Sequence, residues 1–257
     1  MMKNCDSSRS DISPLFAGFE DSVLYSYFEG RFGRGFCNEE RTAGAVVCGS
    51  FYFAAGDVCA AGEVLELAGG DSKAVFMPCG EGWLSALIER DSSLAVSPRF
   101  RTGCGNLDIK SLKSLRDIIG AEYEIKSFDR DLLRQAVAQS WSEPFLENFA
   151  GPQDFMDRGF GVAAIKDGEL VCGASSYTLY SKGAEVEIAC REDHRRRGLA
   201  TAVGAAFILE CLRRGLRPHW DAGNMISLKI AQRLGFELKE EYLSAVREER
   251  TKFMRSV

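Results

Sequence analysis

The chain has 257 residues, an apolar fraction of 46% and a formal net charge of −5. That length exceeds the usual single domain, so two domains are expected, and the acidic balance argues against a general nucleic-acid surface. No apolar run approaches the roughly 20 residues that span a bilayer, and the opening MMKNCDSSRSDIS lacks the apolar core of a signal peptide. A cytoplasmic protein with no membrane contact is expected. Nine cysteines, at 5, 37, 48, 59, 79, 104, 172, 190 and 211, include no CxxC pair. Their odd number and apolar settings predict reduced, mostly buried thiols. With only two histidines, no metal site is expected.

In chain order, Asp21–Phe28 fits a helix. Val46–Phe53 (VVCGSFYF) reads as one buried strand and Ala74–Met77 as another. Glu81–Arg90 fits a helix with Trp83, Leu84, Leu87 and Ile88 on one face. GRFGRG at Gly30–Gly35 lacks the GxxxxGK[ST] pattern of a phosphate loop and is read as a turn. The polar stretch Gly103–Lys113 and a short helical pattern through Leu112, Leu115, Ile118 and Ile119 stop at Gly120. This places a boundary between residues 1–120, a smaller α/β domain, and residues 121–257. No internal repeat is visible.

Beyond the boundary, Glu122–Lys126 alternates as a strand with Tyr123 and Ile125 inward. Asp129 can cap a helix over Asp131–Ala138. Pro144–Phe149 and Pro152–Arg158 are short helices opened by proline. Phe160–Lys166 and Glu169–Tyr180 flank Asp167-Gly168, a type I′ hairpin signal. A third strand, Glu185–Cys190, follows. Leu199, Val203, Phe207 and Cys211 then recur every four residues, the stripe of a helix packed on a sheet, with Gly215 as its left-handed end. Leu216–Ala222 reads as a strand. Asn224 can cap a helix bearing Ile226, Ile230 and Leu234, which ends at Gly235.

The chemistry concentrates between the third strand and the long helix, in REDHRRRG (Arg191–Gly198). The first amides of a helix lack internal acceptors, and the helix dipole adds positive potential there. A pyrophosphate can rest on such amides where side chains are small, as at Gly198, Ala200 and Thr201, with Leu199 among the residues of this helix start. Arg195, Arg196 and Arg197 add charge. A solvated basic loop is the competing reading.

RRRGLA (Arg195–Ala200) is similar to the [RQ]-x-x-G-x-[GA] signature of the GNAT acyltransferase superfamily, and NMISLKIAQRLGF (Asn224–Phe236) resembles its N-x-x-[SA]-x-x-[LI]-x-x-[KR]-x-G-F segment. GRGFC, CGSFYFAAGD, WSEPF, GASSY and PHWDAGN resemble a bacterial two-domain GNAT subfamily that includes a zwittermicin-resistance acetyltransferase. The resemblance implies an α+β fold: a mixed, mostly antiparallel sheet with splayed strands, flanked by helices. It also implies acetyl-coenzyme A as co-substrate and a small-molecule or peptide amine as acceptor, with homodimer formation left open. Arg195–Ala200 would hold the pyrophosphate. The strand edge Ile188, Ala189, Cys190 would pair with pantetheine, and Asn224 and Ser227 would line the cofactor's path.

An amine of pKa about 10.4 must lose its proton to attack. Glu187, then Glu185, could accept it, the competing reading being a solvated or ion-paired strand glutamate. Superfamily members commonly carry a tyrosine where this chain has Ala231, so a tyrosine acid is not expected there. Tyr177, Ser227 or Cys190 could substitute. His194 and His219 read as structural. Trp141 and Phe145 read equally as an acceptor wall or as core. The amino-terminal half is expected to close over the acceptor. Two alternatives stay open: a catalytically silent acyl-coenzyme A sensor, and a Rossmann-type nucleotide binder, against which the missing GxGxxG counts.

Overall fold

The computed structural model describes residues 1–105 and 107–247. The chain divides into two units, Met1–Arg99 with the described chain from Glu241, and Phe100–Glu240.

In the first unit, β1 (Lys3–Asn4) leads through α1 (Arg9–Ile12) and α2 (Ser22–Phe28) to β2 (Arg34–Cys37), β3 (Ala43–Cys48) and β4 (Phe51–Gly56). Helix α3 (Ala61–Ala68) crosses to β5 (Val75–Cys79), and α4 (Trp83–Arg90) leads into β6 (Leu94–Cys104). The apolar run expected as one strand is two. Gly49 and Ser50 turn the chain, so Cys48 lies opposite Phe51 and the whole run is consumed in a hairpin. Strands β1 to β4 are antiparallel neighbours, β4 and β5 are parallel, and Ala245 and Val246 of β13 (Phe236–Arg247) pair with β5. Trp83, Leu87 and Phe76 sit in this unit's core.

The second unit begins earlier than residue 121. Helix α5 (Ile109–Arg116) carries Leu112 into a core shared with Ala205 and Ile208 of α8 (Leu199–Arg213), and Phe100 of β6 pairs with Ala222. The apolar stripe of residues 112–115 therefore has its partner in the second unit, which draws residues 100–120 into it. The chain continues through β7 (Glu124–Ser127), α6 (Arg130–Val137), a short 3-10 turn Glu143–Leu146, α7 (Pro152–Arg158), β8 (Gly161–Lys166), β9 (Glu169–Tyr180) and β10 (Gly183–Cys190). After α8 come β11 (Arg217–His219), β12 (Asp221–Ala222) and α9 (Met225–Arg233). Asp129 caps α6 as expected. Asp167 and Gly168 both have positive φ, 52° and 82°, the backbone of a type I′ turn. Leu199, Val203, Phe207 and Cys211 are all buried.

Two expected elements differ. Leu216–Ala222 is not one strand: β11 pairs with β10 and β12 with β6, with a break at Trp220. On α9, Leu228 and Ala231 are buried and Ile226 is exposed.

The two units share one order of elements. In each, four antiparallel neighbours are followed by a helix and a fifth strand parallel to the fourth, then another helix. The repeat is topological: β1–β5 with α3 corresponds to β7–β11 with α8. Among the described residues, no helix is long and apolar enough to cross a membrane.

Candidate functional site

The parallel pair β10–β11 extends only over Gly183, Ala184 and Glu185. Strand β10 continues to Cys190 while β11 ends at His219, so among the described residues no strand pairs with that edge of β10 beyond Glu185. Its other edge stays paired with β9 as far as Cys190. Arg191 N–H donates to Val171 O at 2.9 Å, which marks Arg191/Val171 as a hydrogen-bonded pair. Antiparallel pairs alternate. Cys190/Cys172 and Ile188/Ala174 are thus non-hydrogen-bonded pairs, whose N–H and C=O groups point away from β9 into the opening. Ala189 and Glu187 direct theirs at β9. Of the three residues expected on the pantetheine edge, Ile188 and Cys190 therefore present backbone groups to the opening and Ala189 does not.

The turn between β10 and α8 carries two left-handed residues. Arg196 takes a left-handed φ of 61° and Gly198 one of 81°. Gly198 is the N-cap of α8 and brings no side-chain cap. Left-handed residues beside a helix start turn successive amides toward one point, a nest for an anion. Such a φ is costly for arginine. A Cβ on Gly198 would combine that φ with a contact of 3.4 Å to Ile118.

The three arginines act differently. Arg195 Nε donates to Cys190 O at 3.2 Å, tying the turn to the strand end. Arg197 donates to Tyr123 Oη at 3.2 Å and to Asp193 O at 3.4 Å. Arg196 is exposed. His194 is buried, its Nδ1 3.0 Å from Tyr123 Oη and its Nε2 2.9 Å from Arg191 Nη2. Since arginine only donates, Nε2 accepts and Nδ1 carries the proton. Burial is the main cause of a lowered pKa, and Arg191 and Arg197 add to it. His194 is a neutral strut.

On β10, Val186 and Ile188 pack in the cluster that holds Ala205 and Ile208 of α8. Glu185 and Glu187 face the other way. Ser175, opposite Glu187, donates to Phe145 O at 3.2 Å, so this face looks toward the turn Glu143–Leu146. Glu185 is buried and accepts from Asp221 N at 2.8 Å. It holds the point where the strands part. Glu187, half-buried, lies one pleat further along the open edge. Phe145 is core: it is buried and packs against Gly173, Phe128 and, edge to face, Trp141. Tyr177 is buried at a bulge of β9, skipped by the register between Thr178 and Ser176. His219 Nε2 lies 3.0 Å from Tyr180 Oη.

Asn224 caps α9 by accepting from Ser227 N at 2.9 Å, and Ser227 Oγ accepts from Trp220 Nε1 at 2.9 Å. Ala231 is buried between Leu228 and Leu234 and offers no proton donor. Among the described residues, no metal-ligating cluster occurs.

The same place in the first unit is closed. Strands β4 and β5 pair in register from Phe51–Val75 to Ala55–Cys79. Asp57 accepts from Cys59 N at 2.9 Å, so a carboxylate holds the turn where the second unit has its nest.

A five-stranded sheet whose fourth and fifth strands part, with an anion-binding turn after the fourth, defines the GNAT class of acyl-transfer folds. The GNAT acetyltransferase family profile matches residues 13–244, and the chain belongs to that family. It is 30% identical to a GCN5-related N-acetyltransferase-like protein of Streptococcus suis 89/1591, with a TM-score of 0.88 over 93% of this chain and 98% of that one. An uncharacterized N-acetyltransferase of Bacillus subtilis (strain 168), YdfB, is 32% identical over 120 residues. That match spans 46% of each chain, so it covers about half the length of the curated relative. A tandem GNAT protein from the clavulanic acid biosynthesis pathway is similar in fold alone, 11% identical with a TM-score of 0.57 over 95% of this chain and 97% of that one.

Proposed function

We propose that the second unit binds acetyl-coenzyme A along the open edge of β10 and transfers its acetyl group to the amine of a small molecule or peptide. The observation that carries this reading is the continuity of two backbone features. The outward groups of Ile188 and Cys190 run directly into the nest at Arg196–Gly198 and the first amides of α8. The edge suits the amides of pantetheine, and the nest suits a pyrophosphate. Leu199, Ala200 and Thr201 supply the helix-start amides. Asn224 and Ser227 flank the path through the N-terminus of α9.

The co-substrate supplies an activated thioester. The amine nitrogen attacks its carbonyl carbon, the carbon–sulfur bond breaks, and the electron pair leaves with sulfur. The nitrogen must shed a proton, and Glu187 takes it, directly or through one water. Glu185 is second choice because its carboxylate is engaged with Asp221 N. Thr178 Oγ1, opposite Glu185, is buried with no protein hydrogen-bond partner, a group that bound acceptor or water would satisfy. The leaving thiolate needs little help, since a thiol pKa of about 8.5 lies close to neutrality. Tyr177 is the remaining candidate for a proton donor.

The test is thiol release from acetyl-coenzyme A over a panel of amines, with native protein and Glu187→Gln. At least one amine accelerates release. The variant loses most with acceptors of high pKa and little with those of pKa about 7–8, already largely neutral. Uniform loss across the panel removes Glu187 as base. Binding without turnover by any amine favours the silent-sensor reading, for which Ala231 in the usual tyrosine place speaks.

A further inference from the structure

We propose that Cys172 and Cys190 form a reversible dithiol–disulfide couple beneath the cofactor edge, oxidised by hydrogen peroxide and shielded by bound acyl-coenzyme A. The shielding rests on the reading of the open edge given above; the couple itself does not.

Cys172 and Cys190 are directly opposite on β9 and β10. The hydrogen bond from Arg191 N to Val171 O fixes them as a non-hydrogen-bonded pair. In such a pair the Cα atoms lie about 4.5 Å apart with side chains on one face, within the separation of about 4.4–6.8 Å that a disulfide spans. Each thiol is a cause of the other's pKa shift, as neighbouring sulfurs are. The face is the one that carries Val186 and Ile188 against α8, so the sulfurs lie under the turn that holds the nest.

The two thiols are unequal. Cys172 is fully buried, and burial pushes its pKa well above the usual value. Cys190 is half-buried, and its pKa is lowered first by the hydrogen bond from Cys172 and then by Arg195 and Arg191. Cys190 is therefore the sulfur that meets peroxide. Its thiolate attacks one peroxide oxygen, the O–O bond breaks, and a sulfenic acid and hydroxide form. The hydroxide leaves as water with one proton. Cys172 then attacks the sulfenic sulfur, its proton goes to the departing oxygen, and a second water leaves. Two thiols are oxidised and one peroxide is reduced to two waters. A second pair, Cys5 and Cys37, differs. Both are buried, and burial with the neighbouring Cys37 pushes Cys5 up to about 12, which keeps it protonated and inert.

A disulfide brings the Cβ atoms to about 3.8 Å, closer than the roughly 4.5–5.5 Å of cross-strand neighbours. Cys190 must move toward β9 and carry with it the carbonyl held by Arg195. The nest moves with the strand end. A bound ligand on the edge opposes this movement, and by reciprocity oxidation weakens that ligand.

The experiment treats the full chain with hydrogen peroxide, with and without acetyl-coenzyme A, and maps cysteines by mass spectrometry under non-reducing conditions. The expected product is a Cys172–Cys190 linked peptide, reversed by dithiothreitol. It forms more slowly with acetyl-coenzyme A present, and the oxidised chain binds acetyl-coenzyme A about tenfold more weakly. In Cys172→Ala, Cys190 should instead be trapped as a dimedone adduct. Acetyl-coenzyme A binding without a linked peptide overturns the couple and leaves the proposed function standing. A linked peptide in a chain that binds no acetyl-coenzyme A keeps the couple and overturns the function. A linked peptide with affinity and oxidation rate unchanged overturns the coupling.

Discussion

Arg195, Arg196 and Arg197 are adjacent letters with three different jobs. Arg195 ties the turn to Cys190 O, Arg197 clamps Tyr123, and Arg196 takes the left-handed backbone. The small residues of this turn stand in the sequence as letters, and the proposed phosphate role rests on their few Cβ atoms. The division of labour was not legible there, because it depends on Tyr123, more than 70 positions away in the chain. His219 shows the same limit and carries a pH prediction. Burial, with Arg217 adding to it, lowers its pKa to about 4, against about 6.5 in an unfolded chain. Between those values the unfolded chain binds a proton that the folded chain refuses. Stability is therefore complete above pH about 6.5 and falls as the pH drops toward 4. The limit is about 3 kcal/mol at 1.36 kcal/mol per pKa unit. Asp154 and Glu210, lowered to about 2 by Arg158 and Arg213, lose stability in the same direction on acidification. They do so equally with or without His219. His219→Gln, whose amide can still meet Tyr180, should lose less stability between pH 7 and pH 5 than the native chain in urea unfolding. Equal losses would contradict the burial argument.

At the scale of elements, helices with caps and one clear stripe were readable. Asp129 and Asn224 cap where expected, and the four-residue stripe of α8 faces inward. Strands erred where apolar runs hid turns. Residues 46–53 looked continuous because both hairpin arms are buried. Residues 216–222 looked continuous because each half pairs with a different strand. On α9, alternative stripes compete over nine residues, and tertiary packing chose Leu228 and Ala231 over Ile226. Leu228→Ala should therefore cost about 2–5 kcal/mol as a buried truncation. Ile226→Ala should stay within about 0.5 kcal/mol, as for an exposed site. Denaturant melts of the two variants decide it, and the reverse ranking would overturn this packing of α9.

For the whole molecule, the sequence pointed to the acyltransferase half and missed the first unit's kinship with it. The reason is physical. Topology survives in the burial pattern of strands and helices, while the superfamily signatures lie in the β10–α8 turn and in Asn224–Phe236, and the first unit has no copy of either. Its fourth and fifth strands stay paired, and Asp57 takes the helix-start position. On the proposed function, one acyl-coenzyme A per chain is expected. The deciding measurement is calorimetric titration of the chain with acetyl-coenzyme A. Saturation is expected at one equivalent, unchanged in Asp57→Ala and abolished in a Gly198→Glu variant that circular dichroism shows to be folded. No saturable heat, a second equivalent, or an unaltered titration in folded Gly198→Glu would contradict it.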